Sequence, residues 1–200
     1  MMMENKKAKL NNQGASLIEF IIVVAIMAVV IGGVVTGISL FTNTYAKQAA
    51  RGIEDFISNG RTKATSIAAD EWNVEIFYNE GSGDFTYTLN RVTFNKKADG
   101  TLERDAEVIE QEMYGGELEI FFMNGDDNSA KVSLNSKMNT LRLVFSQTQG
   151  SISDILLGGY SLEHTIGKKL DDVVYFIINR GSFTKKIAVY TLTGKYEVIE

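Results

Sequence analysis

Residues 14–35 read G-A-S-L-I-E-F-I-I-V-V-A-I-M-A-V-V-I-G-G-V-V, and Glu19 is the only charged residue between Ala15 and Ala46. The run from Phe20 to Val35 has no polar side chain, and a weaker apolar character continues to Phe41. As a helix, the 27 residues from 15 to 41 would be about 40 Å long, and a membrane span needs about 20 apolar residues. The sequence therefore predicts a transmembrane helix over residues 15–41.

A short polar segment, residues 1–14, precedes this run and carries Lys6, Lys7 and Lys9 against Glu4. A secretory signal peptide has an apolar stretch of about 7–15 residues that ends at a small-residue cleavage site, and this run is longer and lacks such a site. A plain signal anchor explains the length and the lysines. It does not explain Glu19, because an ionisable residue inside a membrane segment is costly.

The stretch from Lys6 to Gly33, K-K-A-K-L-N-N-Q-G-A-S-L-I-E-F-I-I-V-V-A-I-M-A-V-V-I-G-G, resembles the N-terminal signal of type IV prepilins and type II secretion pseudopilins. In that family a basic leader ends in glycine, a prepilin peptidase cuts after it, and the fifth residue of the mature chain is Glu. Gly14, Ala15 and Glu19 match these positions. The resemblance implies removal of residues 1–14 and N-methylation of Ala15, although the family prefers Phe or Met at that position.

The resemblance also implies a function. The chain would be a structural subunit of a type IV pilus or a type II secretion-like pseudopilus, polymerised through its N-terminal helix. Its expected partners are a prepilin peptidase, other pilin or pseudopilin subunits, an inner-membrane assembly platform and the membrane itself. The expected location is the cytoplasmic membrane, crossed once with the N-terminus inside, and then an extracytoplasmic filament. Protein secretion, DNA uptake, motility and adhesion are not distinguished.

Glu19 has a physical role in this interpretation. Cleavage after Gly14 would give Ala15 a cationic amino group, and in an apolar setting that cation and the Glu19 carboxylate are each costly to leave unpaired. The family resemblance implies a pair between Glu19 of one subunit and Ala15 of its neighbour, and a pair within one chain is the alternative. Because the chain has no Pro, flexibility of the helix is predicted at Gly32, Gly33 and Gly37.

In the remainder of the chain, the spacing of the apolar residues changes twice. Apolar and small residues recur at steps of three and four through residues 42–68, which predicts an amphipathic continuation of the helix. From residue 69 to 200 the alternation has a period of two and predicts an antiparallel sheet of seven or eight strands, in a domain that the resemblance places outside the cytoplasm. Asp105–Met113 fits helix or strand. The predicted fold class is α+β and pilin-like, with the second half of a long N-terminal helix packed on the sheet.

The C-terminal stretch I-A-V-Y-T-L-T-G-K-Y-E-V-I-E, residues 187–200, looks like the closing hairpin of minor pseudopilins. This second resemblance covers few residues and favours a minor over a major subunit. Because the chain has no Cys, the hairpin has to be held by packing alone.

Composition excludes several kinds of site. With no Cys and one His, the chain offers no zinc ribbon, no thiol nucleophile and no two-histidine metal motif. His164 is interpreted as a surface loop residue, and the oxygen-rich run Asn124–Ser129 as a hairpin turn rather than a calcium loop. We therefore expect no catalytic residues, no cofactor, no metal and no enzymatic activity.

Direct nucleic-acid binding is not expected, because residues 15–200 keep 17 of the chain's 20 basic residues and 24 of its 25 acidic residues, a net charge of −7. Lys168–Lys169 and Lys185–Lys186 are small local exceptions. Two alternatives remain open: a signal-anchored extracytoplasmic binding or sensor domain that does not polymerise, and a DNA-uptake pilin that contacts DNA.

Overall fold

The computed structural model describes residues 13–67, 69–126 and 131–199, with only the backbone for residues 13–16 and 33–43. The chain divides between Phe41 and Thr42 into two compact units. Most of the predicted leader, residues 1–12, lies outside the described residues.

Helix α1 spans Gln13–Ser66, a total of 54 residues. In the part that belongs to the second unit, small and apolar residues recur every three or four positions and are buried in the core. These residues are Ala46, Ala49, Ala50, Ile53, Phe56, Ile57 and Ala64.

Eleven strands follow among the described residues, together with a short helix α2 at Leu162–Ile166 and a 3-10 helix at Lys137–Asn139. The strands are β1 Glu71–Asn79, β2 Asp84–Lys96, β3 Leu102–Tyr114, β4 Glu119–Asn124, β5 Lys131–Ser133, β6 Leu141–Phe145, β7 Ile152–Leu157, β8 Tyr160–Ser161, β9 Val173–Arg180, β10 Phe183–Tyr190 and β11 Lys195–Ile199. They form a first sheet in the order β3-β2-β1-β6-β7-β8 and a second sheet in the order β11-β10-β9-β4-β5. Every pairing is antiparallel.

The predicted pilin-like α+β fold is wrong, because the described chain is mostly β-sheet and its strands lie in two antiparallel sheets. The physical reason is long-range pairing. β4 pairs with β9, so that Phe122 lies opposite Phe176, and neither strand joins the sheet that contains β1 and β2. Alternation along each strand predicts a strand with one buried face but carries no information about its partner.

The predicted transmembrane helix and the single-pass membrane location are also wrong. Within the part of the chain that the structure describes, no helix combines the length and the hydropathy that a membrane span requires.

One contiguous core joins the two sheets to the second part of α1. Its largest fully buried side chains include Trp72, Phe85 and Tyr87 from the first sheet and Phe122 and Phe176 from the second. The ambiguous segment Asp105–Met113 forms part of β3, which pairs along its length with β2 and is exposed at nearly every position. A strand with little burial has no clear alternation, and this explains the ambiguity.

The hairpin of β2 and β3 extends past the first residue of β1, Glu71. The register between β1 and β2 ends at Val92, whereas β2 continues to Lys96 and pairs there with the start of β3. Residues 93–105 therefore form a two-stranded projection, which we call the β2–β3 arm, and its residues are exposed except for the half-buried Thr93.

Candidate assembly surface

The first unit exposes an unusual amount of apolar surface. Twelve large apolar side chains between residues 17 and 32 are each 48% to 76% accessible to solvent. Because their positions are nearly consecutive, they cover every side of the helix rather than one stripe. We call residues 17–32 the apolar segment; its twelve large side chains are Leu17, Ile18, Phe20, Ile21, Ile22, Val23, Val24, Ile26, Met27, Val29, Val30 and Ile31.

Glu19 is the one ionisable residue of the apolar segment, and it is exposed. Its neighbours one turn further along the helix are Ile22 and Val23, so its carboxylate lies within an apolar surface. If another apolar surface covers this segment, the carboxylate loses its water and requires a cationic partner.

Gly14 and Ala15 lie in the first turn of α1, four to five residues before Glu19. Cleavage between them would place the new amino group of Ala15 at the N-terminus of the helix. A cation is unfavourable there because the helix dipole already places positive charge at that end. Ala15 and Glu19 are about 6 Å apart along the helix axis, so a carboxylate from the same chain or from a neighbouring copy could compensate this charge.

Gly32, Gly33 and Gly37 all lie within α1. A Cβ added at Gly32 would meet no atom within 4 Å, so packing within this chain does not require glycine at that position. The predicted flexibility at these three glycines stays a prediction.

Comparison with protein-family models finds no match. Comparisons with curated proteins and with solved structures find none either.

The second unit places the other candidate residues in structural contacts. His164 lies in α2, and its ring is 5.0 Å from that of Tyr160, centroid to centroid. The side-chain amide of Asn124 donates to the Lys169 carbonyl at 2.7 Å and accepts from the Asp171 backbone at 3.0 Å, so this buried residue at the end of β4 holds the loop between α2 and β9. The rest of the oxygen-rich run, residues 127–129, lies outside the described residues. Among the described residues, no group of three or more His, Asp or Glu side chains could hold a metal.

Each lysine of the pair Lys185–Lys186 lies near an acidic side chain. Lys185 Nζ is 2.9 Å from Glu54 Oε1, and both side chains are mostly buried. Lys186 Nζ lies 3.8 Å from the centre of the Tyr175 ring and 3.9 Å from Asp126 Oδ1. These contacts leave little positive charge for a phosphate backbone.

Sequence reasoning missed two separate depressions between α1 and the edge strand β11, one near each end of the strand, which together we call the basic groove. As residue numbers rise along β11 they fall along α1, so Lys195 lies beside Arg61, and Ile199 lies near Arg51 and Lys47. These residues are up to 152 positions apart, so no local motif could have joined them. The acidic run of β3, from Glu103 to Glu112, was visible in the sequence but was not assigned a role.

Proposed function

We propose that this chain is a structural subunit, minor and pilin-like, of a type IV pilus or type II secretion-like pseudopilus. In this proposal a prepilin peptidase cleaves it between Gly14 and Ala15, and it polymerises through its N-terminal helix. One observation carries the proposal: a helix apolar on all sides has one carboxylate, Glu19, at the spacing from Gly14 that the prepilin signal requires. The proposal rests on these N-terminal residues and not on the fold of the second unit.

Burial of apolar surface between copies is the favourable contribution to the free energy of assembly. Covering apolar surface contributes about 25 cal/mol for each Å² removed from water, and the twelve exposed side chains of the apolar segment offer a large area. Packing helices of the same kind side by side covers that area without any other partner. Apolar packing alone does not fix the position of one helix along another, whereas a pair between Glu19 and the Ala15 amino group of a neighbouring copy does.

The mass of the mature N-terminus tests the proposal. In cells with an active prepilin peptidase, intact-mass measurement is expected to find a chain that begins at Ala15, and a Gly14→Val variant is expected to keep residues 1–14. Gln13→Ala is the matched control, because it changes the neighbouring residue and should leave cleavage intact. Retention of residues 1–14 by the unaltered chain in such cells would show that the proposal is wrong.

Filament content separates this function from that of a non-polymerising binding domain. The processed chain is expected in sheared filament fractions, or in complexes with other pilin-like subunits. A chain that is cleaved correctly but absent from every such complex would favour the binding domain.

A further inference from the structure

The depression of the basic groove near the start of β11 is a cleft of about 410 Å³, which we call the Arg61 cleft. Its lining consists of Ser58, Arg61, Thr62 and Thr65 from α1 and of residues 194–196 from the turn into β11. All of them belong to the second unit. The cleft is therefore formed by a helix and a turn of the same compact unit.

No acidic residue lies in the three segments that meet at this cleft. Residues 56–66 at the end of α1, residues 146–151 between β6 and β7, and residues 191–196 around the turn from β10 to β11 contain no Asp or Glu. The basic residues in these segments are Arg61, Lys63 and Lys195. Because the whole chain has 25 acidic residues against 20 basic ones, this region has the opposite sign to the rest of the protein and favours an anionic ligand.

Two glycines hold the stem of Arg61, which is half-buried. A Cβ at Gly150 would lie 2.6 Å from Cγ of Arg61, and a Cβ at Gly194 would lie 3.2 Å from its Cδ. Backbone hydrogen bonds close both turns, from Gly150 N to the Ser146 carbonyl at 2.9 Å and from Gly194 N to the Tyr190 carbonyl at 2.7 Å. The stem is therefore positioned before any ligand arrives.

The guanidinium group of Arg61 has unused donors. It makes no hydrogen bond or ion pair with any described residue, and no carboxylate lines the cleft. A guanidinium stays charged at every physiological pH, and two of its parallel N–H groups match the two oxygens of a carboxylate. Lys63, in the last turn of α1, offsets the partial negative charge at the end of the helix. Arg61 is thus prepared to bind an oxyanion.

The hydroxyl groups of the cleft favour a ligand that also has O–H groups. Thr62 Oγ1 donates to the Ser58 carbonyl at 2.8 Å, and Thr65 Oγ1 donates to the Thr62 carbonyl at 3.1 Å. Because these hydroxyl hydrogens are in use, both oxygens remain as acceptors. A sulfate ion or a simple carboxylate has no hydrogen to give them, whereas a sugar has several. Tyr196, which is 38% exposed, adds an aromatic ring against which the C–H face of a sugar ring can pack.

We propose that the Arg61 cleft binds an acidic sugar of the uronic acid class. Arg61 binds the carboxylate, Thr62 and Thr65 accept hydrogen bonds from the ring hydroxyls, and Tyr196 packs against the ring. The site lies within the second unit, so it does not depend on cleavage after Gly14 or on polymerisation, and the two proposals can fail independently.

Binding of methyl glucuronoside to the full-length chain in detergent solution tests the proposal, with the dissociation constant measured by ligand-observed NMR. Methyl glucoside, which has CH₂OH in place of the carboxylate, is expected to bind at least tenfold more weakly, because it cannot pair with Arg61. No binding of the glucuronoside, or equal binding of the two sugars, would overturn the proposal.

Sodium acetate separates an acidic-sugar site from a general anion site. It has the carboxylate without the ring or the hydroxyl groups, and it is expected to bind at least tenfold more weakly than the glucuronoside. Acetate that competes as well as the glucuronoside would show that the cleft takes any carboxylate, and the sugar assignment would be wrong.

Arg61→Met removes the charge and keeps an apolar chain between the two glycines, and it is expected to raise the dissociation constant of the glucuronoside at least tenfold. Lys63→Met is the matched control, because it makes the same charge change on the same helix at a residue that does not line the cleft. It should change the constant less than twofold. Equal losses in both variants would mean that net charge attracts the ligand, which contradicts a site at Arg61.

Two further variants keep the test decisive. Arg61→Lys retains a cation on a stem of similar length and is expected to bind with an affinity between those of the natural chain and Arg61→Met, which also covers a Met variant that does not fold. Thr62→Val keeps the shape of an exposed side chain and removes its acceptor. It is expected to weaken the glucuronoside at least threefold and to leave acetate unchanged, and equal effects on both ligands would overturn the role of the hydroxyl groups.

Discussion

Tyr87 is fully buried, and its hydroxyl has no hydrogen-bond partner among the described residues. Its ring packs at 6.0 Å from Phe56 and 4.5 Å from Tyr114, between ring centres. Burial, and then the charge of Tyr114, raise the pKa of Tyr87 well above its ordinary value. The folded chain therefore keeps this proton where the unfolded chain loses it, so the stability from this group is full below pH 10 and falls as pH rises above it.

Tyr87→Phe is expected to raise the free energy of unfolding by about 1–2 kcal/mol at neutral pH, because it keeps the ring and removes a buried hydroxyl without a partner. It should also make the loss of stability above pH 10 less steep. Urea unfolding at pH 7 and at pH 10.5 measures both effects. Tyr160→Phe, at a residue that is 62% exposed, is the control and should change little. A loss of more than 1 kcal/mol in Tyr87→Phe would mean that the hydroxyl has a stabilising partner.

Gly60 lets α1 approach the first sheet closely. A Cβ at this position would lie 2.6 Å from Cε2 of Phe145, whose own side chain is buried. Helix propensity favours Ala over Gly by about 1 kcal/mol, but forcing a methyl group into a packed core costs about 1–3 kcal/mol.

Gly60→Ala is therefore expected to destabilise the chain by about 1 kcal/mol, seen as a lower midpoint in thermal unfolding. Gly32→Ala is the matched control, because a Cβ there meets nothing within 4 Å and only the gain in helix propensity remains. A higher midpoint for Gly60→Ala would show that the Phe145 ring moves aside at little cost.

At the scale of elements, the ion pair between Glu54 and Lys185 joins α1 to β10 at 2.9 Å. With only 15% and 19% of the two side chains exposed, water cannot replace either partner fully. Removing one charge therefore leaves the other poorly solvated.

Glu54→Gln is expected to lower the free energy of unfolding by about 1–3 kcal/mol, between the values for exposed and fully buried pairs. Adding Lys185→Met should recover most of that loss, because no unpaired charge remains. The two single variants and the double variant form a thermodynamic cycle, measured by urea unfolding. Additive losses would show that the two side chains do not interact.

Strands with one buried face could be predicted from the sequence. Trp72, Val74 and Ile76 alternate with polar residues, as is typical of a half-buried strand, and all three are buried in β1. The continuous apolar run from Val173 to Ile178 is typical of a more buried strand, and β9 has buried residues on both of its faces. The division into two sheets could not be predicted, because it depends on pairings such as that of β4 with β9, whose paired residues are 50 to 60 positions apart. In the candidate assembly surface, the sequence indicated Gly14 and Glu19 by their spacing, but not the basic groove, which tertiary structure brings together.

At the scale of the whole molecule, the apolar segment and the basic groove belong to different compact units, and both contain exposed side chains. In the proposed assembly, the single carboxylate of the apolar segment, Glu19, would set the axial position of one copy along another.

Glu19→Leu is expected to lower incorporation into filaments or pilin-like complexes at least tenfold, because the Ala15 amino group of a neighbouring copy then lacks its counter-charge. Immunoblots of sheared fractions measure incorporation, and the mass of the N-terminus confirms that cleavage is unaffected. Glu19→Asp keeps the charge on a shorter side chain and should retain part of the incorporation. Normal incorporation of Glu19→Leu would exclude the proposed pairing.

The projection of the β2–β3 arm past β1 has a kinetic consequence. A two-stranded hairpin is only marginally stable by itself in water, so residues 93–105 should open and close many times before the body of the unit unfolds. The backbone amides of the arm are therefore expected to exchange their hydrogens with water sooner than those of the buried strand β1.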